Sequence, residues 1–440
     1  FADAKEKLIS LRRLVAEAQR ISEDLAQVIA GFRRVGAPDD QPFVFTDRLA
    51  TNEHLLTVVF RDCDDVQWRR LTIAGRQGML VYIDNMTDTN ALETGVLEKL
   101  VGLKIETAED LREAIKEQIT SVTLQLSQDA NAILQAVLTG NAVIMIDGLA
   151  EVFIVGQSKF VKRDIAETKT EGSIRGPHDA FNETLMDNIV LLRRRTRDTN
   201  LKVRLRQVGK RTNTDVAIVY IANLVKPGLV EEVERRLARI TLDQVLFAMQ
   251  IEEFLVDHPW TPFPQMQSTE RPERVVAAIY EGRVAILMDN TPFSLIVPCT
   301  YDAIMQATDD YEIAPIVASL IRITRHFSVA VAIFLPAVYI SIVSFHPGML
   351  PVSLAMSIAE LRVRTPFPSI LEAVFMEGLL EIFQEAIVRL PDKLSAAAGV
   401  VGALVIGTTV VQAGLVNPLL VVVIAATALE IGRASCRERV

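Results

Sequence analysis

Glu372, Glu377, Glu381 and Glu385 stand in one otherwise apolar block, LEAVFMEGLLEIFQEAIVRLP, residues 371–391. The last three recur every four residues, which on a helix makes one slowly drifting stripe. A carboxylate facing lipid is costly, so such groups face a protein interior or water. Three arrangements are open. The block could be an interfacial helix whose glutamates meet headgroups or water. It could line a water-filled ion path in an oligomer, or pair with Arg389 or another subunit's basic groups. In a ring of identical subunits each carboxylate becomes a ring of charge, which draws cations. A path of this kind would place Glu377 and Glu381 nearest the ions. Phe375 and Leu379, about a turn away, would then form a hydrophobic gate.

Other chemistry is sparse. There is no Gly-rich phosphate loop, no His-Glu-x-x-His and no Gly-x-Ser-x-Gly. His178 and His258 fall in loop sequence and read as surface hydrogen-bonders. Asp147 and Asp289 could mimic a carboxylate pair, but hairpin-turn chemistry accounts for them. Cys63, Cys299 and Cys436 are far apart, with no disulfide or zinc spacing, which fits a reducing cytosol. No catalytic residue, metal ligand or cofactor site is assigned, and the chain does not read as an enzyme.

The elements around the glutamates define a membrane region. From about residue 313 the sequence becomes three apolar blocks. Phe327 to Phe345 has 19 residues without a charge, and Leu394 to Leu429 has 36. A bilayer core about 30 Å thick needs about 20 apolar helical residues. The first block can therefore cross once and the third twice, with the glutamate block between them. Arg322, Arg325 and His326 precede the first block, so the soluble part is expected inside the cell. Arg362 and Arg364 would then lie outside, against that rule, unless 352–364 is interfacial or re-entrant. The net charge of −9 argues against nucleic acid as a partner.

The remaining 300 or so residues carry a tandem duplication. ILQAVLTGNAVIMIDGLAEVFIV (133–155) matches VVAAIYEGRVAILMDNTPFSLIV (275–297) at a constant offset of 142, with Gly140 on Gly282 and Asp147 on Asp289. A weaker echo links MLVYIDN (79–85) to AIVYIAN (217–223). Each copy reads strand, strand, helix, helix, strand, strand, the last two as a hairpin. The expected fold is thus a cytosolic α/β region of two related α/β subdomains, followed by an α-helical transmembrane domain. The boundaries are an N-terminal helix and linker over 1–48, subdomain 1 over 49–160, a linker helix over 161–197 and subdomain 2 over 198–312. The membrane domain covers 313–432. The tail, 433–440, has no helix period and reads as a cloning or frame artefact; Phe1 in place of Met points to a missing start. A heptad seam over 5–32 reads as an amphipathic helix, docked on its own domain or self-associating. Nine Lys or Arg fall between Arg193 and Arg211. They form either a solvated, ion-paired face or a contact with anionic membrane lipid.

Five long blocks, in order, resemble the A subunit of the spore-germination receptors, the GerA family. They are EGSIRGPHDAFNETLMDNIVLLRRR (171–195), VGKRTNTDVAIVYIANLV (208–225), PFPQMQSTERPERV (262–275) with EGRVAILMDNTPFSLIVP (281–298), LPAVYISIVSFHPGMLP (335–351) and PFPSILEAVFMEGLLEIFQEAIVRLP (366–391). Arg175, Gly176, Pro177, Glu270, Arg271, Pro272, Pro366 and Pro368 are family-motif residues within them. The resemblance implies a multi-pass subunit of a nutrient sensor in the inner membrane of a bacterial spore, its N-terminal domain cytosolic. It implies a homo-oligomer working with a transporter-like B subunit and a lipoprotein C subunit, conducting ions to trigger germination. A spore-stage paralogous branch shares these blocks. Further membrane sequence is expected beyond residue 430. A non-conducting scaffold for the other subunits is the alternative; a secondary transporter is disfavoured, because the membrane part shows no inverted repeat.

Overall fold

The computed structural model describes residues 44–101, 108–119, 123–158, 179–261, 263–311, 313–391 and 407–434, with Gly399 and Gly402. Residues 5–32 and the motif residues Arg175, Gly176 and Pro177 lie outside the described residues. Two compact units divide the chain, with the boundary between Cys299 and Thr300.

The first unit holds the duplication. Copy one runs α1 (Leu49–Val59), β1 (Val66–Ile73), β2 (Arg76–Ile83), a helical stretch over 89–101, α2 (Ala108–Gln118), β3 (Thr123–Ser127), α3 (Ala130–Leu138), β4 (Ala142–Ile146) and β5 (Val152–Gly156). Copy two runs α4 (Leu185–Arg195), β6 (Leu201–Val208), β7 (Thr214–Ile221), α5 (Leu229–Leu237), α6 (Ala248–Leu255), β8 (Gln267–Thr269), α7 (Pro272–Tyr280), β9 (Val284–Met288) and β10 (Ser294–Val297). Both sheets have five antiparallel strands, in the orders β1-β2-β4-β5-β3 and β6-β7-β9-β10-β8. Registers match as well: Met79 faces Met145 as Ala217 faces Leu287.

The central strands are apolar on both faces, as a covered sheet requires. In copy one, Met79, Val81, Val143 and Met145 meet Leu55 and Leu56 of α1 and Ile133 and Val137 of α3. Leu80, Ile144 and Ile146 point the other way, onto Leu92, Val96, Leu111 and Ile115. Copy two repeats this with α4 and α7 on one face and α5 and α6 on the other. Gly140 and Gly282 adopt φ of +89° and +82°, and a Cβ there would meet the carbonyl oxygens of Met86 at 2.8 Å and Leu224 at 2.5 Å. Only glycine suits both demands.

Three elements of each copy go beyond the six-element outline: the edge strand, β3 or β8, a further helix, α2 or α6, and the leading helix. In copy two this is α4, which lies in the segment assigned to the linker, 161–197. Its Leu185, Ile189 and Leu192 pack on the sheet, while Arg193, Arg194 and Arg195 close its last turn. Asp147 and Asp289 hold these helices in place. The Leu49 amide donates to Asp147 Oδ1 at 3.1 Å, and the Leu185 amide to Asp289 Oδ1 at 3.0 Å. Buried Asn52 and Asn188 brace the incoming segments through Thr46 and Asn182 respectively. Each aspartate thus satisfies an orphan amide at a helix start. Replacing Asp147 or Asp289 with Ala is expected to cost about 1 kcal/mol in urea unfolding, and Asn at either position, which keeps the acceptor, less. A neutral result for both Ala variants would remove this capping role.

The copies join through Arg193. Its Nε and one terminal nitrogen donate to the two oxygens of Asp65, each at 2.8 Å, and its other nitrogen to the Leu201 carbonyl at 2.9 Å. Both partners are fully buried. Beside them, the Asp64 amide donates to the Val203 carbonyl and the Val203 amide to Asp62, so the segment before β1 runs along edge strand β6. Lys202 donates to the Val59 carbonyl, Arg204 pairs with Asp62 and Glu234, and Arg206 pairs with Glu234. Arg193, Lys202 and Arg204 of the basic run thus tie the two copies together. Burial pushes the Cys63 thiol up from its ordinary value, against the opposing pull of Arg193 and Lys202.

The second unit contains α8 (Pro315–Ser344), α9 (Val352–Val363), α10 (Ser369–Val388) and α11 (Pro418–Ala434). Among the described residues α8 alone is long and apolar enough to cross a membrane, by length and composition. It begins twelve residues before the uncharged block, because its first turns have a separate task. Arg325 forks onto Asp310 at 2.9 and 3.1 Å and donates to the Met305 carbonyl at 2.6 Å. Arg322 reaches the same carboxylate at 3.3 Å, its guanidinium 4.9 Å from the centre of the Tyr311 ring. Burial works against the Asp310 charge, but the Arg325 hydrogen bonds outweigh it and hold the carboxyl below the ordinary range. Two of the three basic residues expected to orient the span are therefore paired to the segment that enters it.

Candidate functional site

Helix α10 starts where proline requires. Pro366 and Pro368 disfavour helix in the residues before them, and Pro368 itself is extended at the N-cap. Outside the stripe of Glu377, Glu381 and Glu385 the helix is largely apolar, and packing fixes its inner face. Ala373 and Met376 are buried, and Leu379 and Leu380 pack against the same cluster, with Val410, Val416, Leu420 and Ile424 opposite. The exposed arc carries Leu371, Val374, Phe375, Glu377, Gly378, Glu381, Ile382 and Glu385.

The four glutamates thus divide. Glu372 is 2% exposed and lies on the inner face. Its Oε2 accepts from the Asn417 amide at 3.2 Å, while Asn417 Oδ1 accepts from the Leu419 amide at 2.9 Å. The carboxylate therefore sits at the N-terminus of α11, where the helix dipole favours negative charge. Glu372 Oε1 and Asn417 Nδ2, both buried, have no protein partner. The chain reaches this point through a turn at Gly414, φ +67°. Glu377, Glu381 and Glu385 share the exposed arc. Glu385 pairs with Arg389 one turn on, at 2.5 Å, with both side chains mostly exposed.

The proposed gate pair splits too. Phe375 is on the exposed arc, at its edge. Leu379 is half-buried in the helix cluster, because two residues advance a helix by about 200° and carry it behind the Glu377 stripe. In projection Val374 lies between Glu381 and Glu385, and Ile370 between Glu377 and Glu381, both exposed. Glu270, Arg271 and Pro272 serve the fold of copy two. The Glu270 carbonyl accepts from the Phe181 amide at 2.8 Å, the Arg271 amide donates to Thr269 Oγ1 at 3.1 Å, and Pro272 is the first residue of α7. Sequence reasoning missed Asn417, although Gly414 to Pro418 carries the signal: a turn glycine, then Asn before Pro at a helix start.

Comparison with known proteins fixes the family. Residues 54–431 match the family model described as Bacillus/Clostridium GerA spore germination protein. Spore germination protein A1 of Bacillus subtilis (strain 168) is 35% identical over 386 residues, covering 88% of this chain and 79% of that protein. The Uncharacterized membrane protein YfkQ of the same organism is 34% identical over 392 residues, covering 89% and 76%. The crystal structure of the N-terminal domain of the A subunit of the Bacillus megaterium spore germinant receptor GerK3 is 26% identical. It covers 59% of this chain and 98% of its own, with a TM-score of 0.46. The chain belongs to the GerA family of spore germination proteins.

Proposed function

We propose that the protein is the membrane subunit of a spore nutrient-germinant receptor and that it acts as an oligomeric ion-channel component. It would reside in the spore inner membrane as a multi-pass protein, with the duplicated unit in the cytosol. Its partners would be copies of itself, a transporter-like B subunit and a lipoprotein C subunit. The observation that carries this is the exposed arc of α10. Three carboxylates stand there among Val374, Phe375 and Ile382, and neither lipid nor a dry interface suits that mixture. A shared aqueous axis between subunits does, with Glu377 and Glu381 as charge rings and Val374 as the apolar constriction beside them. Glu372, held by Asn417, would fix α10 against α11 rather than meet ions.

The test uses the full-length protein assembled with its partner subunits in membranes. Nutrient should then start a flux of monovalent cations. Glu377→Gln with Glu381→Gln should lower that flux by more than about 100-fold, equivalent to more than about 2.8 kcal/mol of lost attraction, with assembly unchanged. Full flux in this double variant would favour a non-conducting scaffold.

A further inference from the structure

The duplication supplies an internal control, because what differs between the copies is not needed for the fold. Strands β1 and β2 are joined by Ala74 and Gly75 alone, whereas β6 and β7, of the same lengths, are joined by Gly209 to Asn213. The extra residues include Lys210 and Arg211. Their amides donate to the carbonyls of Leu242 and Asp243 at 2.9 and 2.8 Å, so the longer turn is stapled to the loop between α5 and α6. Thr214 Oγ1 donates to the Val245 carbonyl at 2.9 Å and the Val245 amide to Thr212 Oγ1 at 3.2 Å.

This loop presents apolar side chains outward from a fixed backbone. Val245 and Ala248 are buried anchors, while Leu246, Phe247 and Met249 between and beside them are 47, 66 and 69% exposed. Gln250 Oε1 accepts from both the Leu246 and Phe247 amides, at 2.7 and 3.1 Å, which keeps those two side chains from folding inward. On the stapled turn stand Lys210 and Arg211, both exposed. The charge partner at this tip is Asp243, which meets Arg211 at 3.7 Å with both groups mostly in water; such a pair is weak. Elsewhere the basic run is largely occupied within the fold, and the chain as a whole is acidic. A rigid apolar cluster rimmed by cations is the chemistry that inserts into an anionic lipid surface.

We propose that the tip formed by Lys210, Arg211 and Leu246 to Met249 docks on the anionic headgroup layer of the membrane. This rests on the reading that α8, which begins at Pro315 a short way after β10, spans that membrane. The full chain with Cys299→Ser and Cys436→Ser, keeping buried Cys63, would carry one bimane label at Gln244→Cys beside the tip or at Phe334→Cys in α8. It would be placed in nanodiscs of phosphatidylcholine containing a doxyl quencher lipid, with or without phosphatidylglycerol. The label at 244 should be quenched at least twofold more with phosphatidylglycerol, and Lys210→Glu with Arg211→Glu should abolish the difference. Quenching at 334 without any at 244 would overturn the docking and leave the span intact. No quenching at 334 would remove the span, and the docking with it. Quenching at 244 that ignores both lipid charge and the charge reversals would overturn recognition of anionic lipid. A blue-shifted but unquenched label at 244 would do the same, pointing to a protein cover.

Discussion

Replacing Arg193 with Met will destabilise the first unit by about 3–5 kcal/mol, because it strands the Asp65 carboxylate in the dry joint between the copies. Asp65→Leu alone should cost a similar amount by stranding the guanidinium. The double variant should recover most of the loss, since two apolar side chains in place of a buried ion pair are often neutral or better. Urea unfolding of the detergent-solubilised full chain, tracked by fluorescence of half-buried Trp68 on β1, measures each cost. Should either single variant lose less than about 1 kcal/mol, the value of a surface pair, the buried-pair account of this joint fails.

Glu377→Lys is expected to have the largest functional effect of a single substitution. Reversing the charge turns a ring that attracts cations into one that repels them. At about 4 Å and an effective dielectric of about 20, a unit charge contributes about 4 kcal/mol. Even half of that, doubled by reversal, predicts a fall of more than about 100-fold in cation flux. Glu385→Lys should do less, because Arg389 already offsets Glu385. Cross-linking of the complex shows whether each variant assembles. Assembled Glu377→Lys complexes with ordinary flux would take α10 off the conducting path.

Much of this architecture was legible in the sequence, and the parts that were not share physical causes. The offset between 133–155 and 275–297 survived because strands buried on both faces tolerate little beyond Val, Ile, Leu and Met. Edge strand β8 escaped notice because three residues, Gln267 to Thr269, give no period. Helix α4 was legible as a linker helix but not as the leading helix of copy two: the three arginines of its last turn read as a solvated or lipid-facing basic run, although Arg193 among them is fully buried. The shared lead-in Phe45-Thr46-Asp47 and Phe181-Asn182-Glu183, with Leu49 to Asn52 on Leu185 to Asn188, was the signal available for it. Within α10, glutamates and a membrane could be read, but not which glutamate turns inward. Glu372 falls off the stripe of the other three, but nothing near it in sequence supplies its partner, because Asn417, which holds Glu372, lies 45 residues away.

The bond from Asp147 back to Leu49, and its twin from Asp289 to Leu185, also bears on how this chain could have arisen. Each closes a loop of about a hundred residues, so the beginning of a copy lies against its final hairpin. A module whose ends meet can be repeated in frame without opening its interior, and the sequence attached to its C-terminal end can diverge freely. Here the second module acquired a longer turn and a helical region beyond it, while the first kept the shorter form.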